Sequence, residues 1–181
     1  MAEKPSETQS ITYGLINNSE VIIYENSNID ELVSKGYGEL MSNGALKLTP
    51  YEALYLVENN KLIVRTKSGV ELEFNELLRV LQSVNPQLWL LYVIYRDLRR
   101  RGYIVKEGFG GKLAFRVYEK GKEEASYLIY PFFEGSPENI ANLLDGVKHS
   151  ISKNKQLIVA VVERRGEVIY YSCSEASLKN I

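Results

Sequence analysis

From Asn85-Pro86 to Gly102 the chain carries one unbroken helical period, and the residues after it switch at once to strand spelling. Leu88, Leu91, Tyr92, Tyr95 and Leu98 recur at three- and four-residue spacing, which puts them on one face of a helix. Asn85 supplies a cap and Pro86 a first helical residue. Arg99-Arg-Arg101 complements the negative end of the helix dipole, and Gly102 is the stop. Tyr103–Val105, Leu113–Tyr118 and Ala125–Tyr130 then read as strands joined by glycine-containing turns. An apolar helix face followed directly by strands commits this half to a mixed α and β packing.

The same reasoning runs to both ends. Ser136-Pro137-Glu138 predicts the start of a second helix with Ile140, Leu143, Leu144, Val147 and Ile151 as its apolar face. Leu157–Val162 and Val168–Ser172 are strands around an Arg164-Arg165-Gly166 turn. Upstream, Ile11–Leu15 and Val21–Tyr24 are short strands around Asn17-Asn18, and residues 30–35 a short helix closed by Gly36. Thr49-Pro50-Tyr51-Glu52 spells a capped helix start, with Glu52 reaching back as in a capping box. Leu62–Arg65 is a strand, and Phe74–Val84 has a helical period. The expected class is α+β: a small mixed N-terminal domain over residues 1–84, then a C-terminal domain over 85–181 that runs helix, three strands, helix, two strands.

Bulk properties exclude several functions. A net charge of −1 does not advertise nucleic-acid binding, so any RNA contact must come from a local patch. A single cysteine, Cys173, rules out an internal disulfide and a cysteine-built metal cage; a single histidine, His149, rules out a His-rich one. No metal and no cofactor is expected. No apolar run approaches the roughly 18–20 residues that cross a bilayer, and the N-terminus has no signal-peptide pattern. A cytoplasmic protein without membrane contact is expected.

His149 is the one side chain suited to proton transfer near neutrality, and Lys153 lies four residues on along the same helix face. Such a pair could protonate and stabilise a phosphodiester in reaction, but a surface histidine bonded to a carbonyl explains it as well. The Arg96 to Arg101 cluster is explained by the helix dipole, with phosphate contact as its functional alternative. Gly108-Phe-Gly-Gly111 lacks the helix and the Gly-Lys-Ser/Thr ending of a phosphate loop and reads as a hairpin turn.

Several of these pieces, in this order, resemble the archaeal tRNA-intron splicing endonuclease family. They are Leu48-Thr-Pro-Tyr-Glu-Ala-Leu-Tyr-Leu56, Tyr95–Gly108, Phe115-Arg-Val-Tyr118, Tyr127-Leu128, His149-Ser150 and Leu157–Tyr171. The resemblance implies a metal-free RNA cleavage that leaves a 2′,3′-cyclic phosphate and a 5′-hydroxyl. In the family a tyrosine activates the 2′-hydroxyl, a histidine protonates the leaving oxygen and a lysine stabilises the phosphorane. Tyr118 matches the tyrosine. The histidine belongs to a His-x-x-Tyr spelling; Tyr127 matches its tyrosine, and Glu124 stands where the acid should be. The lysine belongs to a His-Ser-x-x-Lys spelling, which Lys153 matches, with Lys155 as a second register. That matching also removes His149 from the role of proton donor. Ala114 replaces a family aspartate, and Gly146 an arginine that clamps a flipped base.

The resemblance therefore implies a non-catalytic structural subunit of a heterotetramer, partnered by a catalytic endonuclease subunit and meeting precursor tRNA through that complex. The loop Pro131–Glu138 would enter the opposite subunit, with Glu134 and Glu138 as acidic contacts and Phe132 and Phe133 as anchors. The last strand, with Ile169, Tyr170 and Tyr171, would offer an edge for a partner to complete. The alternatives are an active homo-oligomer using Tyr118, Lys153 and a substitute acid, and a binding module without nuclease activity.

Overall fold

The computed structural model describes residues 11–17, 19–24, 28–110 and 112–176. The chain divides into two compact units, with the boundary between Pro86 and Gln87. Both combine helices with a sheet of mixed direction. The expected turn at Asn17-Asn18 and the polar N-terminal residues fall partly or wholly outside the described residues.

The first unit runs β1 (Thr12–Asn17), β2 (Glu20–Ile23), α1 (Ile29–Ser34), β3 (Glu39–Leu40), β4 (Leu46–Leu48), α2 (Pro50–Glu58), β5 (Leu62–Arg65), β6 (Glu71–Leu72) and α3 (Phe74–Gln82). Its six-stranded sheet has the order β3-β4-β2-β1-β5-β6, and β1 and β5 run parallel. The capped start read from Thr49 to Glu52 is present. The Thr49 amide donates to Glu52 Oε2 at 2.9 Å, and the Gly38 amide donates to Oε1 at 3.1 Å. Glu52 is only 2% exposed, so its carboxylate holds a helix start and a distant turn together inside the unit. Glu73 precedes α3, and its amide donates to Glu76 Oε2 at 2.9 Å, closing a helix start the sequence reading left unmarked.

The second unit runs α4 (Leu88–Arg100), β7 (Ile104–Gly110), β8 (Leu113–Tyr118), β9 (Tyr127–Phe133), α5 (Ile140–Ser152), β10 (Gln156–Val162) and β11 (Val168–Cys173). The sheet order is β11-β10-β9-β8-β7. All neighbours are antiparallel except β9 and β10, which run parallel in register from Tyr127↔Gln156 to Phe133↔Val162. Parallel neighbours need a crossover, and α5 provides it. Helix α4 contacts β7, β9, β10 and β11; α5 contacts β10. Phe115 meets Tyr95 of α4, ring centroids 6.2 Å apart, while Leu128, Tyr130 and Leu157 cluster with Val147 of α5. The expected face of α4 is buried at Leu88, Tyr92, Tyr95 and Leu98, with Val93 and Ile94 added. Gly102, at φ 89°, stops the helix: its amide donates to Arg99 O, and that of Tyr103 to Leu98 O.

Four expectations are corrected here. Helix α4 begins at Leu88, with Gln87 rather than Asn85 at the cap position. Helix α5 begins at Ile140 and is capped by Asn139, whose side chain accepts from the Ala141 amide at 2.9 Å. Glu138, one residue before that cap, stays at the helix start, where it accepts from the Asn139 amide and from Asn142, and it also takes Lys112. The face of α5 is also rotated: Gly146, Val147 and Ser150 are buried and Leu143 packs beside them, whereas Ile140, Leu144 and Ile151 are 73%, 49% and 58% exposed. Finally, Pro131, Phe132 and Phe133 are strand, paired to Ala160, Val161 and Val162, so the loop begins at Glu134. Pro131 is tolerated because the β8 pairing ends at Ile129, where an amide on that side is no longer needed.

Candidate functional site

The turn from Glu119 to Ser126 joins β8 to β9 and brings the family positions toward the start of β10. Gly121, at φ 79°, makes the bend, and the Ser126 amide returns to Val117 O at 2.8 Å. Glu119 staples the turn from inside. It accepts from Tyr127 Oη at 2.8 Å and Ser126 Oγ at 3.3 Å, and it pairs with Lys122. Lys122, Tyr127 and Ser126 hold its carboxyl below the usual range, and the same bond raises the Tyr127 phenol. The Gln156 amide then donates to Ser126 O at 3.1 Å, which sets the first residue of β10 beside the end of the turn.

That register decides which lysine meets Glu124. Lys155 Nζ stands 2.8 Å from Glu124 Oε2. The lysine side chain is 14% exposed and the glutamate side chain 87% exposed, so the lysine is the embedded member and the acid lies over it. The Lys155 ammonium holds the Glu124 carboxyl below the usual carboxylate range. At neutral pH this acid is ionised and has no proton to give. Tyr118 is the last residue of β8, half-buried, opposite Ile104 of β7.

Lys153 is at the C-cap of α5 and goes elsewhere, with Nζ 5.6 Å from the centre of the Phe109 ring. His149 also turns to that ring, centroids 5.7 Å apart, and its Nε2 is buried with no hydrogen-bond partner among the described residues. A nitrogen closed off from solvent is not where a substrate would collect a proton. Gly146 lies where α5 comes close to the sheet; a Cβ added there would stand 3.4 Å from Tyr130 Cδ2.

The residues expected at interfaces divide into two groups. Glu138 is spent within the unit. It accepts from Lys112 Nζ at 3.1 Å and from the Asn139 amide and Asn142 Nδ2, both at 2.9 Å. Those donors, Asn142 first, hold its carboxyl down to about 2. Tyr170 faces α4, where its hydroxyl donates to Asp97 Oδ2 at 2.8 Å and Arg101 stands 5.4 Å over the ring. Burial and that carboxylate push its phenol up. Ile169 and Tyr171 point the other way and are 38% and 54% exposed. Phe133 is 43% exposed and Phe132 half-buried. Glu134 is exposed and accepts from the Arg164 amide at 3.3 Å. Among the described residues no group of three or more His, Cys, Asp or Glu is placed to hold a metal, and no helix is long and apolar enough to cross a membrane.

Comparison with known proteins matches both units. The family model for "tRNA intron endonuclease, N-terminal domain" covers residues 12–78, and that for "tRNA intron endonuclease, catalytic C-terminal domain" covers residues 88–170. A tRNA-splicing endonuclease of Methanococcus vannielii is 34% identical over 175 residues, 95% of this chain and 97% of the relative. That of Methanococcus maripaludis is 35% identical over the same shares. That of Thermococcus onnurineus is 37% identical over 79% of this chain and 84% of its own length.

Proposed function

The chain belongs to the tRNA intron endonuclease family, and we propose that within it the chain is a structural subunit, one that holds cutting subunits at the spacing a spliced precursor tRNA requires. One observation carries this reading. The position matched to the family's general acid is Glu124, and Lys155 keeps it ionised. Transesterification by the 2′-hydroxyl needs a proton delivered to the departing 5′-oxygen, and a carboxylate beside the scissile phosphate also repels it. The one imidazole in the sequence, His149, is engaged against Phe109. The 2′,3′-cyclic phosphate and 5′-hydroxyl ends would then be made by the catalytic partner, with Tyr118 and Lys155 kept here as scaffold.

Assembly would use the exposed apolar residues beside α5. Ile169 and Tyr171 pair with Val161 and Val159, and Phe132 pairs with Val161, so these side chains share one side of the sheet. Ile140 of α5 lines a surface hollow with Phe132 and Val161, Leu144 is exposed four residues further along the helix, and Phe133 and Glu134 lie at the end of β9. Tyr170 and Glu138 are left out, because Asp97 and Lys112 already hold them.

The test is to incubate intron-bearing tRNA with the purified chain, with a catalytic family member, and with both. A complex by gel filtration, with cleavage only when the catalytic chain is present, is the expected result. Cleavage by this chain alone would establish the second reading, an active homo-oligomer; Tyr118 at the strand end and the embedded Lys155 are what favour it.

A further inference from the structure

Phe109 is a large apolar ring held in water, 47% exposed, at the tip of the β7–β8 hairpin. The hairpin is built to hold it there. The register shifts between Glu107 and Gly110, and Gly110 takes φ 88°. A Cβ at Gly108 would fall 1.9 Å from Leu113 O, so only glycine permits the backbone to approach this closely. The bulge turns Phe109 out of the ladder toward α5. Three nitrogen-bearing side chains from two further elements then close on it. The Arg116 guanidinium is 5.1 Å from the ring, fixed by Nε donating to Glu107 O at 2.8 Å. Lys153 Nζ is 5.6 Å and the His149 ring 5.7 Å from it.

We propose that this cluster is a binding site for a nucleotide of single-stranded RNA, with a base stacked on Phe109 and its phosphates on Arg116 and Lys153. An exposed aromatic ring takes any base, and flanking cations track the backbone, which is how unpaired strands are held without sequence readout. An acidic polypeptide would need the cations but not the ring. The site also answers how a chain of net charge −1 contacts RNA: its positive charge is local. The choice of RNA rests on the reading of the chain as part of an RNA-cutting assembly. The chemistry of the site does not depend on which subunit cuts.

The experiment is fluorescence anisotropy of the full chain with a labelled unstructured RNA of about ten nucleotides and a blunt duplex of the same length, the length chosen to span one site. The single strand binds and the duplex binds more weakly. Phe109→Ala loses about 5- to 150-fold in affinity, the range for one stacked base, while Phe109→Trp retains binding. Arg116→Gln lowers the salt dependence by about 0.7 in log–log slope, one phosphate contact. Thermal melting separates misfolding from loss of the site. Equal affinity of wild type and Phe109→Ala overturns the proposal, as does competition by polyglutamate with no effect of Phe109→Ala. Gel filtration with the catalytic chain is run on the same preparations. Assembly without RNA binding overturns this site and leaves the structural-subunit reading standing; Phe109-dependent RNA binding without assembly does the reverse.

Discussion

Glu124 is mostly in solvent, yet its partner Lys155 is nearly enclosed, and this asymmetry makes the acid the replaceable member. Glu124→Gln and Tyr118→Phe are expected to leave cleavage by the assembled complex within about twofold, while the matching changes in the catalytic chain abolish it; single-turnover rates decide this. Glu138 is the reverse, an acid built into the unit. Its folded value of about 2 lies below the ordinary 4.5, so its stabilisation is complete above about pH 4.5 and is lost as pH falls toward 2. The melting-temperature gap between wild type and Glu138→Gln should therefore close over that window. Glu52 holds two backbone amides from a buried position. Glu52→Ala strands both donors and should cost about 3 kcal/mol by urea denaturation.

At the scale of the element, α5 is the instructive case. Its apolar residues fall on two stripes, and the sequence reading merged them. Val147 packs on Tyr130 and Leu157, whereas Leu144 faces solvent. Val147→Ala should cost about 2 kcal/mol, and Leu144→Glu should change stability by less than about 0.5 kcal/mol while weakening assembly. Thermal melting paired with gel filtration separates the two effects. Periodicity found the helix but could not say which stripe a sheet would cover, because Gly146 and Ser150, which carry no hydrophobic signal, are the residues that let α5 approach β9 and β10. The Phe109 hairpin was equally hidden: between glycines, a phenylalanine looks like turn filler until the bulge shows where it points.

For the whole molecule, each unit has its own sheet and its own core, and the chain divides between Pro86 and Gln87, beside an Asn-Pro pair that punctuates the backbone locally. The helix stop at Gly102 and the start at Thr49 were legible because caps and stops are set by residues within a few positions of each other. What the sequence could not determine is which residues far apart along the chain meet. The parallel register of β9 on β10 brings Lys155 rather than Lys153 to Glu124; Lys153, at the end of α5, meets Phe109 instead, and the antiparallel pairing of Tyr170 with Ala160 turns Tyr170 onto Asp97. Local spelling fixes where elements begin and end, since those bonds close within one turn of backbone. Partnership across the sheet depends on register and on the closeness of helix packing, and those exist only once the chain has folded.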